Sequence, residues 1–493
     1  VGIICKGKTN YKNILQQNQK QKIRRYEFMK KMARLVASLI LAGALAAPAF
    51  AGFEFHGYGR AGVLLNSKGA LAGKGETDQG TFDLNGPAIP FLHNVGRLGN
   101  ENDNYMEAEL TNTFKAGTVG AATKMRFASK DWNYTTYPYR GGNTEVTNTA
   151  GDKVKVSTGD EAGVFLRELY TEFYGLPFAP KSTVWAGKRF YGRDDIHIND
   201  FYWRIFDGTG AGVMNVPAGP GVIDFAWVSV TNSKAGDYPM IKDDEGKDVG
   251  QDVQQNFDLR YRGVKALGGE FEVEVTPSIA TGSINNTNKT ADRGIQGAVV
   301  YSRADFFGGL AGSSKVAFQA GKGLGANVGN GNGTFMHEDA MAMQFVAWGV
   351  ANVTDKLKVS PSFVYSNISK REGAKHGNGD DKFDWMGFTV RPQYNFTRNL
   401  ALQAEIGYEK GDIWAPVESW GSGKGLVDAD ILKITVAPTI TLDDTSFWTR
   451  PQLRAFVTYA SFDKNATKAG INDKSLAGKD NGVTYGVQME SWF

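Results

Sequence analysis

The last eleven residues of the chain are Val483-Thr484-Tyr485-Gly486-Val487-Gln488-Met489-Glu490-Ser491-Trp492-Phe493. Most odd-numbered positions in this stretch are apolar, and most even-numbered positions are polar or small. Because successive side chains of a β-strand point to opposite faces, this alternation predicts a C-terminal strand with one apolar face. Trp492 is the exception, since it falls on the polar face together with Glu490.

Similar alternation recurs upstream and indicates an all-β protein. It occurs in residues 257–262, 270–275 and 453–459. Glycine contributes 61 of the 493 residues and aromatic residues contribute 12%, whereas there are only 15 prolines. This composition favours many strands joined by turns. No segment after residue 51 has the ~20 consecutive apolar residues of a membrane-spanning helix, which excludes a helical membrane bundle.

The N-terminal part of the chain predicts export. A basic stretch from Met29 to Arg34 precedes an apolar run from Leu35 to Leu45, and Ala49-Phe50-Ala51 fits a small-residue cleavage site. The apolar run is too short to span a bilayer. We therefore predict a signal peptide over 29–51 and an upstream extension over 1–28 that is not mature protein, with a cytoplasmic extension as the alternative.

The mature chain, 52–493, is expected to be a single domain and to be acidic. Cleavage removes ten of the 55 Lys and Arg residues and one of the 52 Asp and Glu residues, which leaves 45 basic and 51 acidic residues and a net charge of −6. The only cysteine, Cys5, is removed too. An acidic protein without cysteine has no basic surplus for nucleic acid, no disulfide and no multi-cysteine zinc site.

Two architectures fit exported alternating strands. In a soluble β-sandwich the apolar face packs a core, whereas in an outer-membrane barrel it meets lipid and the polar face lines a lumen. Three features favour the barrel, namely the signal peptide, the aromatic C-terminal residue, and long stretches rich in Gly, Asn and Asp between the strands. These stretches are residues 141–161, 232–255, 280–293, 321–336, 367–383 and 463–482.

Six further stretches are specific enough to suggest a family. They are residues 53–62, 97–101, 105–110, 185–203, 450–460 and 485–493. They resemble the maltoporin family of sugar-specific outer-membrane porins, and the similarity runs from Phe53 to Phe493. The resemblance implies an 18-stranded antiparallel transmembrane β-barrel in the outer membrane, assembled as a homotrimer, with an inward-folded third loop that narrows the pore. It also implies passive diffusion of maltose or maltodextrin-type oligosaccharides.

The chemistry of a sugar explains why such a channel pairs aromatic with ionic side chains. Aromatic faces stack on the apolar C–H faces of a pyranose ring. Its hydroxyls leave water only where donors and acceptors replace it, and arginine and carboxylate groups supply both. Repeated sites of this kind let a sugar slide, provided that each site binds weakly enough to release it.

The resemblance assigns two sets of residues. The predicted aromatic slide consists of Tyr58, Tyr105, Trp492 and Trp132, the last reaching into a neighbouring subunit. The predicted polar track consists of Arg60, Arg97, Glu107, Arg167, Arg193, His197, Asp200 and Tyr202. Tyr58 and Tyr105 share faces with polar residues, which favours a lumen position over a lipid-facing aromatic belt.

The sequence departs from the family pattern at a slide position and leaves several alternatives open. Met386 stands in register with the slide aromatic expected ahead of Arg391-Pro392, and Trp385 would then face lipid unless a bulge intervenes. Asp194-Asp195 is either a solvated loop pair or a cation site. The alternative functions are a general diffusion porin, a porin for sucrose or a β-glucoside, and a barrel enzyme acting on lipid or glycan. With no nucleophile motif and no metal-ligand spacing, we predict no enzyme activity, cofactor or metal.

Overall fold

The fold consists of one large antiparallel sheet closed on itself. The structure is a computed structural model and describes residues 52–66, 95–101, 104–131, 143–147, 153–157, 163–231, 240–242, 248–251, 253–280, 291–333, 336–369, 382–416, 424–465 and 480–493. The predicted signal peptide and upstream extension lie outside these residues.

Eighteen strands form the sheet. They are β1 (Gly52–Asn66), β2 (Asn104–Ala116), β3 (Val119–Asp131), β4 (Gly163–Leu176), β5 (Ala179–Arg189), β6 (Gly208–Ala218), β7 (Gly221–Thr231), β8 (Val253–Ala266), β9 (Gly269–Ala280), β10 (Arg293–Phe306), β11 (Leu310–Gly323), β12 (Met341–Asn352), β13 (Leu357–Ser369), β14 (Lys382–Asn395), β15 (Leu400–Pro416), β16 (Lys424–Thr441), β17 (Gln452–Phe462) and β18 (Asn481–Trp492). Each strand pairs antiparallel with its neighbours in sequence.

The first and last strands close the barrel. β1 pairs with β2 on one side and with β18 on the other, with Tyr58 opposite Trp492. The C-terminal residue completes this seam, because Phe493 exchanges two backbone hydrogen bonds with Gly57, of 2.8 and 3.0 Å. The Phe493 ring also lies 5.4 Å from the ring of Phe55. No strand edge of the barrel is therefore left unpaired at this seam.

The two faces of the sheet are inverted relative to a soluble protein. On β8 the exposed Leu259 alternates with the buried Asp258 and Arg260, and on β15 Ile406 is exposed while Glu405 is fully buried. Apolar side chains outside and polar ones inside are the pattern of a membrane barrel, and the predicted fold class is confirmed. Among the described residues, no helix combines the length and the apolar character of a membrane crossing.

Connections are short at one end of the barrel and long at the other. Two to four residues join most hairpins at the turn end, and ten residues, 442–451, join β16 to β17. The six stretches predicted as loops lie between strands at the loop end, and many of their residues are outside the described part of the chain. Three of these connections contain two-stranded hairpins, formed by Asn143–Thr147 with Lys153–Ser157, Asp194–Ile196 with Phe201–Arg204, and Met240–Lys242 with Asp248–Gln251.

The third long connection, residues 190–207, folds into the lumen. It buries Ile196, Ile198, Trp203 and Phe206 almost completely. The sixth long connection, 324–340, packs beside it, since the backbone of Ile205 hydrogen-bonds to Gly329 and Gly331. The inward-folded constriction loop predicted from the family resemblance is therefore present, with a second connection supporting it.

Candidate functional site

Residues 95–101 form a short segment inside the barrel that carries Arg97 to the constriction. A buried carboxylate holds it, since Glu405 accepts a hydrogen bond of 2.9 Å from the Leu98 amide. Glu405 is itself bridged to Arg391 on β14 at 2.5 Å and to Lys433 on β16 at 2.8 Å. We call these three residues the Glu405 cluster. A Cβ at position 407 would lie 2.0 Å from the Val95 carbonyl oxygen, so Gly407 lets the segment approach the wall.

The constriction loop contacts this segment through side-chain and backbone hydrogen bonds, and Arg97 Nη1 lies 3.0 Å from His197 Nε2. The Arg97 amide donates to the Ile198 carbonyl at 2.9 Å, and the Arg391 guanidinium donates to the same carbonyl at 3.0 Å. Further along the loop, Asp200 adopts a left-handed backbone conformation with φ of 55°, which is uncommon for a residue other than glycine. The Glu405 cluster therefore fixes both inward-folded segments relative to the wall.

Aromatic rings form a row along the inner wall. Tyr105 on β2 lies 6.0 Å from Tyr58 on β1, and Tyr58 lies 6.5 Å from Trp492 on β18 with nearly parallel planes 24° apart. His197 of the constriction loop contacts the Trp492 ring at 5.6 Å and the Trp448 ring at 5.5 Å. We call Tyr105, Tyr58, Trp492 and Trp448 the aromatic row.

Ionic side chains run alongside this row. Arg97 donates to the Tyr58 hydroxyl at 2.6 Å and bridges Glu101 at 2.6 Å and Glu490 at 3.1 Å. Burial alone would lower the pKa of Arg97, but Glu101 and the other acidic neighbours outweigh it and raise that pKa well above its ordinary value. Arg97 is thus a permanent cation between two carboxylates, within reach of the Tyr58 ring.

Further ion pairs extend this line of ionic side chains in both directions. We call the whole line the ionic lane. Arg60 bridges Glu101 at 2.7 Å and reaches Asp200 of the constriction loop at 3.8 Å. At the other end, Glu490 accepts from Arg450 at 2.7 Å and also pairs with Arg454. Arginine donors and carboxylate acceptors therefore alternate beside the aromatic row.

A second group of predicted residues lies where the constriction loop leaves β5. The Arg193 guanidinium lies 4.3 Å from the Tyr202 ring centre and 4.0 Å from that of Phe190, and it bridges Asp207 at 3.2 Å. Arg167 approaches the same Phe190 ring at 4.9 Å. Arg167 lies where the pairing of β3 with β4 shifts register, since Arg126 is opposite Glu168 and Phe127 is opposite Leu166.

The pKa values of two acidic residues of the loop are shifted in opposite directions. Burial raises the pKa of Asp207 to about 6, although Arg193 and Arg167 act to lower it. Burial also acts to raise the pKa of Asp194, but Arg204 and Lys315 outweigh it and lower that pKa to about 2. Asp194 is therefore neither a solvated loop residue nor a cation site, because it is an ion-paired carboxylate with Arg204 at 2.6 Å and Lys315 at 2.9 Å.

The expectation that Trp385 faces lipid is wrong. Trp385 is only 5% exposed and packs edge-on against Phe201 of the constriction loop at 5.5 Å, whereas Met386 is 39% exposed on the outer face. Trp385 and Arg391 are six residues apart on β14, so the period of two puts both on the inner side without any bulge. The inner wall therefore has an aromatic residue at this point, and Met386 belongs to the outer surface.

Most predicted site residues are brought together, and several partners were missed. Glu107 pairs with Arg126 at 2.9 Å and accepts from the Tyr105 hydroxyl. Trp132 lies outside the described residues.

Sequence reasoning missed Glu101, Trp448, Glu490, Arg450 and Arg454. The signal for Glu490 was present, because it shares the polar face of β18 with Trp492. Trp448 lies in a turn, where no strand period indicates direction.

Comparison with known proteins places the chain in a family. The chain is 29% identical over 456 residues to a maltoporin of Photobacterium profundum, covering 89% of this chain and 93% of the relative. It is 27% identical over 489 residues to a maltoporin of Vibrio cholerae serotype O1, covering 95% and 100%. Among solved structures, Pseudomonas aeruginosa OpdQ aligns with a TM-score of 0.44 at 8% identity, covering 90% of this chain and 98% of that chain. The LamB porin family model matches residues 53–493, and the chain belongs to that family.

Proposed function

We propose that this outer-membrane porin is a sugar-specific channel for passive diffusion, in which the aromatic row binds pyranose rings and the adjacent ionic lane binds their hydroxyls. The observation that carries the proposal is the pairing of the two at one place. Tyr58 contacts Tyr105 and Trp492 through its ring and Arg97 and Glu490 through its hydroxyl. A general diffusion pore needs charged groups at its constriction but no aromatic row.

The predicted site residues fall into these two roles. Tyr58, Tyr105 and Trp492 would stack on sugar rings, and Trp448 would extend the row. Arg60, Arg97, Glu107 and Asp200 would supply donors and acceptors. Arg193, Tyr202 and His197 would bound the constriction from the loop side, and Arg167 would bound it from β4. Each aromatic contact is worth only ~0.5–1.5 kcal/mol beyond area burial, which keeps every site weak enough to release the sugar.

For the preferred sugar we propose maltose and longer maltodextrins. Both curated relatives described above are named maltoporins. A linear series of near-equivalent sites suits a homopolymer, because every ring of a maltodextrin presents the same faces to the row. Porins for sucrose or a β-glucoside are the alternatives within the same class.

Liposome swelling with sugars of increasing length separates a sugar-specific channel from a general porin. Purified protein is reconstituted, and swelling rates are compared for maltose, maltotriose, sucrose and a non-sugar polyol of similar size. The proposal predicts that maltotriose enters faster than passage through a simple size-dependent sieve, as followed by the non-sugar polyol, would allow. A monotonic fall of rate with solute size, the same for sugars and polyols, would contradict it.

We also propose that the chain assembles as a homotrimer, as the family resemblance implies. In that assembly Trp132 would reach the mouth of a neighbouring barrel and add the first ring of the slide. The outer surfaces of the barrel carry the apolar side chains that either lipid or a neighbouring copy can cover.

A further inference from the structure

The inner wall has a pocket at the turn end of the barrel that the aromatic row and the polar track do not include. It lies between β1, β2, β3 and β4 and has a volume of about 250 Å³. That is slightly below the ~300 Å³ at which pockets for drug-sized ligands begin. Its polar and aromatic lining consists of Glu54, Thr111, Thr113, Lys124, Tyr170, Glu172 and Tyr174. The pocket therefore suits one polar ring rather than a large ligand.

Strand register brings these side chains together. Glu54 lies opposite Thr111, and Thr111 lies opposite Lys124, so three neighbouring strands contribute to one row. In the next row towards the turns, Thr113 lies opposite Ala122, and Ala122 lies opposite Glu172. Residues opposite one another across a sheet project to the same face, here the inner one.

Tyr174 supplies an open aromatic face in this pocket. It lies opposite Gly120 on β3, and a Cβ at that position would lie 2.2 Å from a Tyr174 ring carbon. The ring therefore rests directly on the Gly120 backbone, which only glycine permits. Tyr174 is 40% exposed, so its other face remains free to stack on the C–H face of a sugar ring.

Hydrogen-bond donors and acceptors surround this platform. The Lys124 ammonium donates to Glu109 at 2.7 Å and has two further hydrogens, since an ammonium carries three donors. The Thr113 hydroxyl donates to the Gly52 carbonyl at 3.1 Å and keeps its lone pairs. The Glu172 carboxylate adds acceptor oxygens and lies 3.7 Å from Arg189. Both partners that a sugar hydroxyl needs are thus present beside an aromatic face.

The pocket lies on the same wall as the aromatic row, further towards the turns. Tyr58 is opposite Glu107 on β2, and Gly120 is opposite Lys115 on the same strand, eight residues further along. At ~3.3 Å per residue this is ~26 Å along the strand. Two-ring sugars cannot bridge that distance, whereas a seven-ring chain can.

We propose that this pocket, which we call the exit pocket, binds one pyranose unit of an oligosaccharide whose other rings still occupy the constriction. The pocket lies at the periplasmic end, where barrel turns are short. This inference rests on the proposed function, because the ligand must be a sugar chain that the channel already admits. The pocket would hold the leading ring while the trailing rings leave the aromatic row.

Sugar-induced block of single-channel current tests the pocket with Tyr174→Ala. The seven-ring maltodextrin should need a ~2–10-fold higher concentration for half block, while maltose should change by less than twofold. Tyr459→Ala is the matched control, because Tyr459 is 39% exposed on the outer face of β17. Glu172→Gln, which preserves side-chain size, should show the same dependence on chain length.

The outcomes distinguish the pocket from the channel. If maltodextrin blocks wild type, Tyr174→Ala and Tyr459→Ala equally, the exit pocket is refuted and the sugar channel stands. If no sugar blocks wild type, the proposed function fails and the pocket proposal fails with it. Equal weakening for maltose and the seven-ring sugar would also contradict a site beyond the constriction.

Discussion

Trp492 contacts both parts of the proposed sugar site, the aromatic row and the ionic side chains beside it. One face of its indole is covered by the Arg450 guanidinium, 4.4 Å from the ring centre, and Tyr58 continues the aromatic surface beside it. The ring is held in place by neighbours on β1, by the turn before β17 and by the constriction loop. It therefore acts as a fixed platform in the proposed function.

We expect Trp492→Ala to weaken sugar block without closing the pore. Losing one aromatic contact of ~0.5–1.5 kcal/mol should raise the half-blocking sugar concentration ~2–10-fold. Ion conductance should change much less, because ions do not need the ring. Single-channel recording of the assembled variant measures both, and an unchanged sugar block would remove Trp492 from the slide. Arg193→Ala provides the contrast, since loss of a constriction charge should alter ion selectivity as well.

Asp207 should make the ion selectivity of the channel depend on pH. Because burial raises its pKa to about 6, the carboxylate is charged at pH 7 and neutral at pH 5. Arg193 stays charged throughout, and Arg167 and Glu168 are the other charged groups that face Asp207. Acidification therefore makes the constriction more positive.

We expect cation preference to fall between pH 7 and pH 5, as measured by reversal potential in a KCl gradient. The variant Asp207→Asn removes the titrating group at constant size. It should show the low-pH selectivity already at pH 7 and a smaller further change. A full pH response in Asp207→Asn would assign the effect to other groups.

Side-chain direction was predictable wherever a strand period could be counted. Tyr58, Tyr105 and Glu490 point inward as the alternation indicates. Trp385 was misplaced because its position was counted from a family register rather than from Arg391 on the same strand. Glu101 pairs with Arg60 and accepts a hydrogen bond of 3.0 Å from Gln488. These contacts could not be predicted, since barrel closure brings the distant residues together.

The Glu405 cluster determines where two inward-folded segments lie. Glu405, Arg391 and Lys433 are all at most 2% exposed, and Glu405 carries the only negative charge of the three. Removing one partner of a buried ion pair leaves an uncompensated buried charge, at a typical cost of ~3–5 kcal/mol.

We expect Glu405→Gln to destabilise the barrel by an amount in that range and to weaken sugar block, because residues 95–101 lose their anchor. Urea unfolding in detergent micelles measures the first effect, and current block measures the second. Asp428→Asn is the control. The Asp428 side chain is 71% exposed and lies 3.8 Å from Lys410, and a surface ion pair of this kind is worth ~0–1 kcal/mol. Equal midpoints and equal block in both variants would contradict the anchoring role.

The existence of long and short connections was predictable from composition, but their paths were not. The six stretches rich in Gly, Asn and Asp fall on long connections, because such residues favour turns, but they did not include residues 190–207. That residues 190–207 fold inward followed only from the family resemblance. The inward path of residues 324–340 was not predicted, since it depends on backbone contacts with Ile205 that no local pattern encodes.

We expect the assembled protein to be a trimer with Gly52 at the mature N-terminus. The signal-peptide pattern sets the cleavage site after Ala51, and β1 begins at Gly52. N-terminal sequencing of the outer-membrane fraction and native mass spectrometry in detergent check the two features separately. A monomeric mass in mild detergent would refute the trimer, and residues 1–28 in the mature protein would refute the cleavage.

In the proposed function this porin recognises sugars rather than merely admitting them. The most direct measurement is the block of ion current by a series of maltodextrins from two to seven rings, titrated against single wild-type channels. We expect saturable block whose half-blocking concentration falls as chain length increases, because longer chains occupy more of the aromatic row. Conductance that no sugar reduces at any concentration, or a block that does not saturate, would contradict sugar recognition by this channel.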